Sequence, residues 1–274
     1  INAGYVATTN FGAVSPATSS SSIQVLGNVY SDSNSSVVKY RTTGAVVIES
    51  TGANFLAAPT INSTTFDGNA SVRIGKLGNN SAVTVNGTAT VLGDYTVNGA
   101  AITQNAPVTT TSGNITFTGG GAFSSTGALT AGGGLYITGA TSLSSTAAWI
   151  TNAALDVTAS GNISTSSVAP ITVNTGYLSL VSTGGTITIG KDLSAPGNVT
   201  LTGTTATISQ PVSSSGGSVS ITASTGAVSV AANVTASTSM SITPATSYSG
   251  AGALSAGTTL SITGGTSVNP TGNL

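Results

Sequence analysis

Over most of the chain, short apolar–polar–apolar triplets recur at a nearly constant interval. They are Tyr95-Thr96-Val97, Ile115-Thr116-Phe117, Leu135-Tyr136-Ile137, Leu155-Asp156-Val157 and Leu178-Ser179-Leu180. The series continues with Val199-Thr200-Leu201, Val219-Ser220-Ile221, Met240-Ser241-Ile242 and Leu260-Ser261-Ile262. Successive first residues are 20, 20, 20, 23, 21, 20, 21 and 20 positions apart. Period-two alternation over so few residues is the pattern of a short strand with one buried face. Gly and Asn precede several copies, as in Gly113-Asn114 and Gly197-Asn198, and mark bends between strands. Weaker strand-like pieces lie between copies, at 149–151, 171–173, 186–189, 206–208, 227–230 and 234–235.

Copies that keep this phase predict an all-β fold, a parallel β-solenoid. Two or three strands with their turns make one rung of about 20 residues, and equivalent strands stack about 4.8 Å apart. A β-sandwich does not require copies matched in register. The crossover rule for parallel strands predicts a right-handed coil. A lone rung cannot stand. Ordering about 20 residues costs roughly 20–40 kcal/mol of backbone entropy, whereas burying an inward Val or Leu contributes about 1.5–3 kcal/mol. Neighbouring rungs must complete the core and the hydrogen bonds.

The first part of the chain reads differently. Residues 1–80 hold Asp32, Lys39, Arg41, Glu49, Asp67, Arg73 and Lys76, most of the chain's charges. Strand-like pieces at 23–26, 45–48, 72–74 and 83–85 are irregularly spaced. Two regions are therefore expected: an irregular N-terminal β region over 1–90, and parallel β-helix repeats over 91–274. The first is a cap, a small β-domain or a set of degenerate rungs. Within residues 1–13, Ile1, Ala3, Tyr5, Ala7, Phe11 and Ala13 share one face of an alternating strand broken at Thr9. This strand is either the first of its own fold or a donor to the sheet of another subunit. At the other end, nothing after the last triplet resembles a capping helix, and only Pro270 and Gly272 blunt the edge. Such an end calls for more rungs in a longer parent or for a second molecule stacked there.

Composition narrows the chemistry. Charged residues are 4% of the 274, against about 25% in an ordinary globular domain. There is no Cys and no His, which removes disulfide frameworks, Cys/His zinc sites, thiol nucleophiles and His-based triads. A net charge of -1 leaves no electrostatic footprint for nucleic acid, and no apolar run is long enough to insert in a membrane. Nine Asn-x-Ser/Thr sequons stand at Asn34, Asn62, Asn69, Asn79, Asn86, Asn114, Asn162, Asn198 and Asn233. Chance alone supplies on the order of six or seven in so Asn-, Ser- and Thr-rich a chain, so N-glycosylation is allowed rather than indicated. The chain opens on Ile1 and reads as a processed mature protein or an excised segment, extracellular or at the cell surface.

No catalytic, cofactor or metal residue is assigned, and no enzyme is expected. Asp156 takes the outward position of its triplet, and Lys191-Asp192 reads as a solvated turn. No carboxylate pair suited to glycoside hydrolysis emerges. Gly119-Gly120-Gly121 and Gly132-Gly133-Gly134 lack the Asp of a calcium turn and the Lys of a phosphate loop, so these glycines read as permitting tight turns. Trp149, Tyr136, Tyr177 and Tyr248 occupy different rung positions and read as packing or isolated exposure, not a sugar platform. Outward Thr116/Thr118, Thr200/Thr202, Ser220/Thr222, Ser241/Thr243 and Ser261/Thr263 would form two hydroxyl rows, interrupted by Tyr136, Asp156 and Val181. They read as β-propensity and solubility, with ice binding the alternative.

Stretches such as Gly197-Asn198-Val199-Thr200-Leu201-Thr202 and Gly217-Ser218-Val219-Ser220-Ile221-Thr222 carry a family likeness. From about 95 to 274 the repeats resemble those of filamentous-haemagglutinin-type adhesins and related autotransporter passengers. The resemblance implies a secreted, surface-exposed right-handed β-helix without enzymatic activity. The Asn-Pro-Asn motifs of that family's secretion domain are missing; only Asn269-Pro270-Thr271 comes near. The expected function is a structural subunit of an extracellular filament, fibre or coat, whose partner is itself. The alternatives are a segment of a long adhesin that binds a cell surface or its glycans and, further off, a polysaccharide-acting solenoid enzyme.

Overall fold

The structure, a computed structural model, describes residues 5–7, 23–26, 28–30, 38–40, 44–49, 60–61, 64–166 and 169–273. It comprises two compact units, Ile1–Gly139 and Ala140–Leu274. Each is built on one plan. All described regular elements are strands, and the chain visits three parallel sheets in a fixed cycle.

The triplets define the first sheet. In the second unit its strands are Leu155–Ala159, Leu178–Ser182, Val199–Gly203, Val219–Ala223, Ser239–Pro244 and Thr259–Ile262. Leu155, Leu178, Val199, Val219, Met240 and Leu260 stand opposite one another in one unbroken register. In the first unit the same row runs Tyr95, Ile115, Leu135. The repeat phase read from the sequence is therefore a hydrogen-bonded register, and the parallel β-solenoid is the fold of both units. The weaker pieces between triplets resolve into two further sheets, so each full rung has three strands. In the second unit the second sheet includes Ile187–Gly190, Ala206–Ile208 and Val228–Val230, and the third includes Leu193–Ala195, Val212–Ser214 and Val234–Ala236.

Strands of the irregular region also pair in parallel with these sheets. Ile23–Leu26, Ala45–Glu49 and Ser71–Ile74 precede Tyr95–Asn98 in the first sheet, with Ile23, Val46, Val72 and Tyr95 in line. Their uneven spacing comes from the connections. A register shift at Thr90/Val91 against Asp67 and Asn69 marks one irregularity, beside Gly68 at φ 68°.

Inward rows fill the core. Val72, Tyr95, Ile115 and Leu135 are buried in the first unit, Leu178, Val199, Val219 and Met240 in the second. Tyr95 meets Phe117 edge-on at 6.2 Å, and Phe117 lies 4.8 Å from Phe123. Trp149 and Tyr248 are core residues, whereas Tyr177 is 44% exposed.

Sharp corners would strand backbone groups inside, and inward Ser, Thr and Gln answer them. Ser214 Oγ accepts from Gly217 N–H (2.9 Å) and donates to Gly197 O (2.7 Å). Ser182 Oγ does the same with Gly185 N–H and Gly161 O. Gln104 Nε2 donates to Ala106 O, Ser125 Oγ to Gly127 O, and Thr151 Oγ1 to Ala154 O. Part of the Ser/Thr richness is thus internal corner wiring, not surface.

The glycines before several triplets answer to contact between rungs. None of Gly93, Gly113, Gly197 and Gly217 has a positive φ. They stack on one another so closely that a Cβ on Gly113 would lie 2.1 Å from the Gly93 carbonyl carbon, and one on Gly217 would lie 2.7 Å from that of Gly197. Close backbone approach between rungs, not left-handed geometry, selects glycine there.

Candidate functional site

Among the described residues no group of three or more His, Cys, Asp or Glu gathers to hold a metal. Asp156 lies at the outward position of its strand opposite Ser179, and Asp192 is exposed at a corner. Among the described residues neither belongs to a group of three or more such side chains. Thr200, Ser220, Ser241 and Ser261 do form an in-register outward row, beside a second of Thr202, Thr222 and Thr243 headed by Val181.

The feature that departs most from the rest of the fold is the last described rung. In its first-sheet strand, Leu260 and Ile262 continue rows whose previous members, Met240 and Ile242, are 1% and 0% exposed. Leu260 and Ile262 themselves are half-buried. In the second sheet Val268 sits opposite Tyr248 and is 48% exposed, while Tyr248 is 1% exposed. Apolar core positions therefore surface here beside the outermost described strand edges of two sheets. The third sheet differs, since Leu254 N–H already donates to Asn273 O at 2.9 Å. No charged residue occurs anywhere in 193–274.

The donor-strand candidates fall in two groups. Ile1, Ala3, Phe11 and Ala13 lie outside the described residues. Tyr5–Ala7 pairs in parallel with Asn28–Tyr30, Tyr5 opposite Asn28 and Ala7 opposite Tyr30, so this piece has a partner in its own chain.

The sequons separate by environment. Asn34 and Asn62 lie outside the described residues. Asn69 and Asn79 are buried, and the Asn79 amide donates to Asn98 O at 3.0 Å. Asn86 is exposed and accepts from the Asn105 amide. Asn114, Asn162, Asn198 and Asn233 each precede a strand, and each Oδ1 accepts a backbone N–H one rung on. Those donors are Gly134, Thr186, Ser218 and Ala253, at 2.8 to 3.0 Å. The next residue points inward and the one after outward, which gives Asn, apolar, Ser or Thr. Sequons thus arise wherever an Asn clip precedes a strand that alternates.

One expectation is overturned. Lys191 does not sit in a solvated turn; it is 0% exposed. Its side chain reaches two rungs back, where Nζ donates to Ala147 O and to Ser145 Oγ (3.4 Å). Neither partner carries charge, and burial pulls its pKa down to about 8. Composition marks Lys as a surface residue, and the triplets say nothing of corners. The one available signal is the 23-residue step from Leu155 to Leu178, which breaks the rung length just before it.

Compared with models of protein families, with curated proteins and with solved structures, the chain matches none.

Proposed function

We propose that the protein is a non-catalytic structural solenoid that works outside the cell, where copies join through their strand edges into a filament, fibre or coat. The observation that carries this reading is the unbroken parallel register of rungs that hold no charged residue over 193–274, in a chain only 4% charged. A strand added to the edge of such a sheet would bury apolar area worth about 25 cal/mol per Å² and satisfy backbone groups at the same time. A nearly charge-free surface offers little repulsion to self-association. Head-to-tail contact is heterologous and grows open assemblies.

The test is negative-stain electron microscopy of the untagged protein, with and without residues 1–13. Filaments that persist without those residues support stacking through solenoid ends, and filaments that vanish support a donor strand. Monomeric particles alone would overturn the reading.

The Leu254–Asn273 hydrogen bond favours a second reading, since it begins a further rung in the third sheet. On that reading the chain is a stretch of a long adhesin of the kind its repeats resemble. A longer native chain in source material would support it.

A further inference from the structure

We propose that Asn86-Gly87 is a site of spontaneous backbone modification. There the Gly87 nitrogen closes on the Asn86 side-chain amide, and the resulting succinimide opens in water to aspartate and isoaspartate. The pair stands at a corner of the first unit, between Val83–Val85 of the second sheet and Ala89–Val91 of the third.

The chain holds its own control. Asn-Gly occurs twice, and in the same tripeptide: Val85-Asn86-Gly87 and Val97-Asn98-Gly99. Glycine has no Cβ to hinder the approach of its nitrogen to the preceding Cγ, so both pairs are chemically competent. Folding treats them oppositely. Asn98 is 5% exposed, and its Nδ2 donates to Gly75 O at 3.1 Å. Gly99 N–H donates to Thr118 O at 3.0 Å. There the leaving group is held and the nucleophile is already committed. Asn86 is exposed, and Gly87 N–H donates to no group among the described residues.

The asparagine clips are closed to the same chemistry. Asn114, Asn162, Asn198 and Asn233 are followed by the β-branched Ile115, Ile163, Val199 and Val234. Each of those residues donates its N–H to a carbonyl one rung on, at 2.9 Å.

At Asn86 the electrophile is also prepared. Asn105 Nδ2 donates to Asn86 Oδ1 at 2.8 Å, the atom on which negative charge develops as Cγ becomes tetrahedral. Thr126 Oγ1 donates to Asn105 Oδ1 at 3.1 Å and so orients that amide. Solvent base takes the Gly87 N–H proton, the N–Cγ bond forms, and the Cγ–Nδ2 bond breaks. Nδ2 leaves as ammonia with a proton from water. One water then adds to either ring carbonyl. Opening at Cγ gives aspartate. Opening at the former main-chain carbonyl gives isoaspartate, whose main chain is longer by one carbon. Either product adds a negative charge to a chain of net charge -1.

The test uses the full chain from a host that does not N-glycosylate, because Asn86-Gly87-Thr88 is a sequon and a glycan would occupy Nδ2. The protein is aged at mildly alkaline pH, folded and in urea. Tandem mass spectrometry of its peptides locates the acidic product, and an isoaspartyl methyltransferase detects isoaspartate. The folded protein is expected to convert at Asn86 and to keep Asn98, whereas in urea the two should convert at similar rates. Equal rates in the folded protein would overturn the site, and so would an Asn86 that converts only in urea. Asn105→Ala, shown to be folded by circular dichroism, is expected to slow conversion at Asn86 about two- to twelvefold, as loss of one net hydrogen bond does. A rate unchanged or raised in that variant would overturn the role of the Asn105 amide.

Discussion

Two strands of the second unit have almost the same pattern and opposite environments. Val199-Thr200-Leu201 and Leu260-Ser261-Ile262 occupy the same register rows, three pairings apart in one sheet. Val199 and Leu201 are fully buried, whereas Leu260 and Ile262 are half-buried. Alternation therefore decides which way a side chain points. Whether that direction is the core depends on a rung above and a rung below. In a stacked architecture burial is a property of neighbours.

The largest expected effect tests this directly. Leu201→Ala opens a cavity between two rungs and should cost about 2–5 kcal/mol. Ile262→Ala removes atoms that are already partly in water and should cost under about 1 kcal/mol in the monomer. Denaturant unfolding of the second unit reads both. Equal losses would mean that something covers the last rung even in the isolated chain.

Gly217→Ala comes next. A Cβ there would stand 2.6 Å from Asn198 Oδ1 and 2.7 Å from the Gly197 carbonyl carbon. Displacing backbone of the rung below should cost about 1–3 kcal/mol. Gly120→Ala, which meets nothing within 4 Å, is the control and should change the unfolding midpoint little. If the two behave alike, stacking is not what selects the glycines.

The contrast also shows what the sequence makes legible. The triplets report the first sheet residue by residue, because nine inward pairs of strong apolar residues repeat at a fixed step. The second and third sheets are faint because their strands are shorter and several of their inward positions are polar or small. Thr165 and Ser214 look like surface in a sequence and are buried corner groups. Lys191 was misleading for the same reason. Hydrophobic phase carries no information on corners, where a backbone carbonyl takes a donor whether or not it is charged.

Lys191 gives a pH test. Its pKa is lowered to about 8 when folded and stands near 10.5 when unfolded. Below about 8 both states hold the proton, and the cost of burying the ammonium is present in full. Between about 8 and 10.5 the unfolded state binds more protons, so stability should rise with pH and then level off. Relaxation and solvent screening reduce the gain to on the order of 1–2 kcal/mol. Tyr95 and Tyr248 are both raised by burial, so their contribution falls only above about 10, where the unfolded phenol ionises. The window from 8 to 10 therefore belongs to the lysine. Unfolding midpoints measured across it should climb in the parent and stay flat in Lys191→Met; a flat parent profile would mean that water reaches Nζ.

The smallest effect separates two roles for one asparagine. If Asn198 serves as an inter-rung clip, the acceptor matters and the amide nitrogen does not. Asn198→Asp keeps an oxygen for Ser218 N–H and removes the sequon. Asn198→Ala removes both, and should cost about 0.5–1 kcal/mol at this exposed site. Thr200→Val keeps the clip and the alternation while it destroys the sequon. A thermal scan of protein from a glycosylating host should therefore group the parent with Asn198→Asp and Thr200→Val, and set Asn198→Ala apart. Should all three variants fall together below the parent, a glycan on Asn198 is the stabilising element, and the sequons are more than a by-product of how these rungs turn.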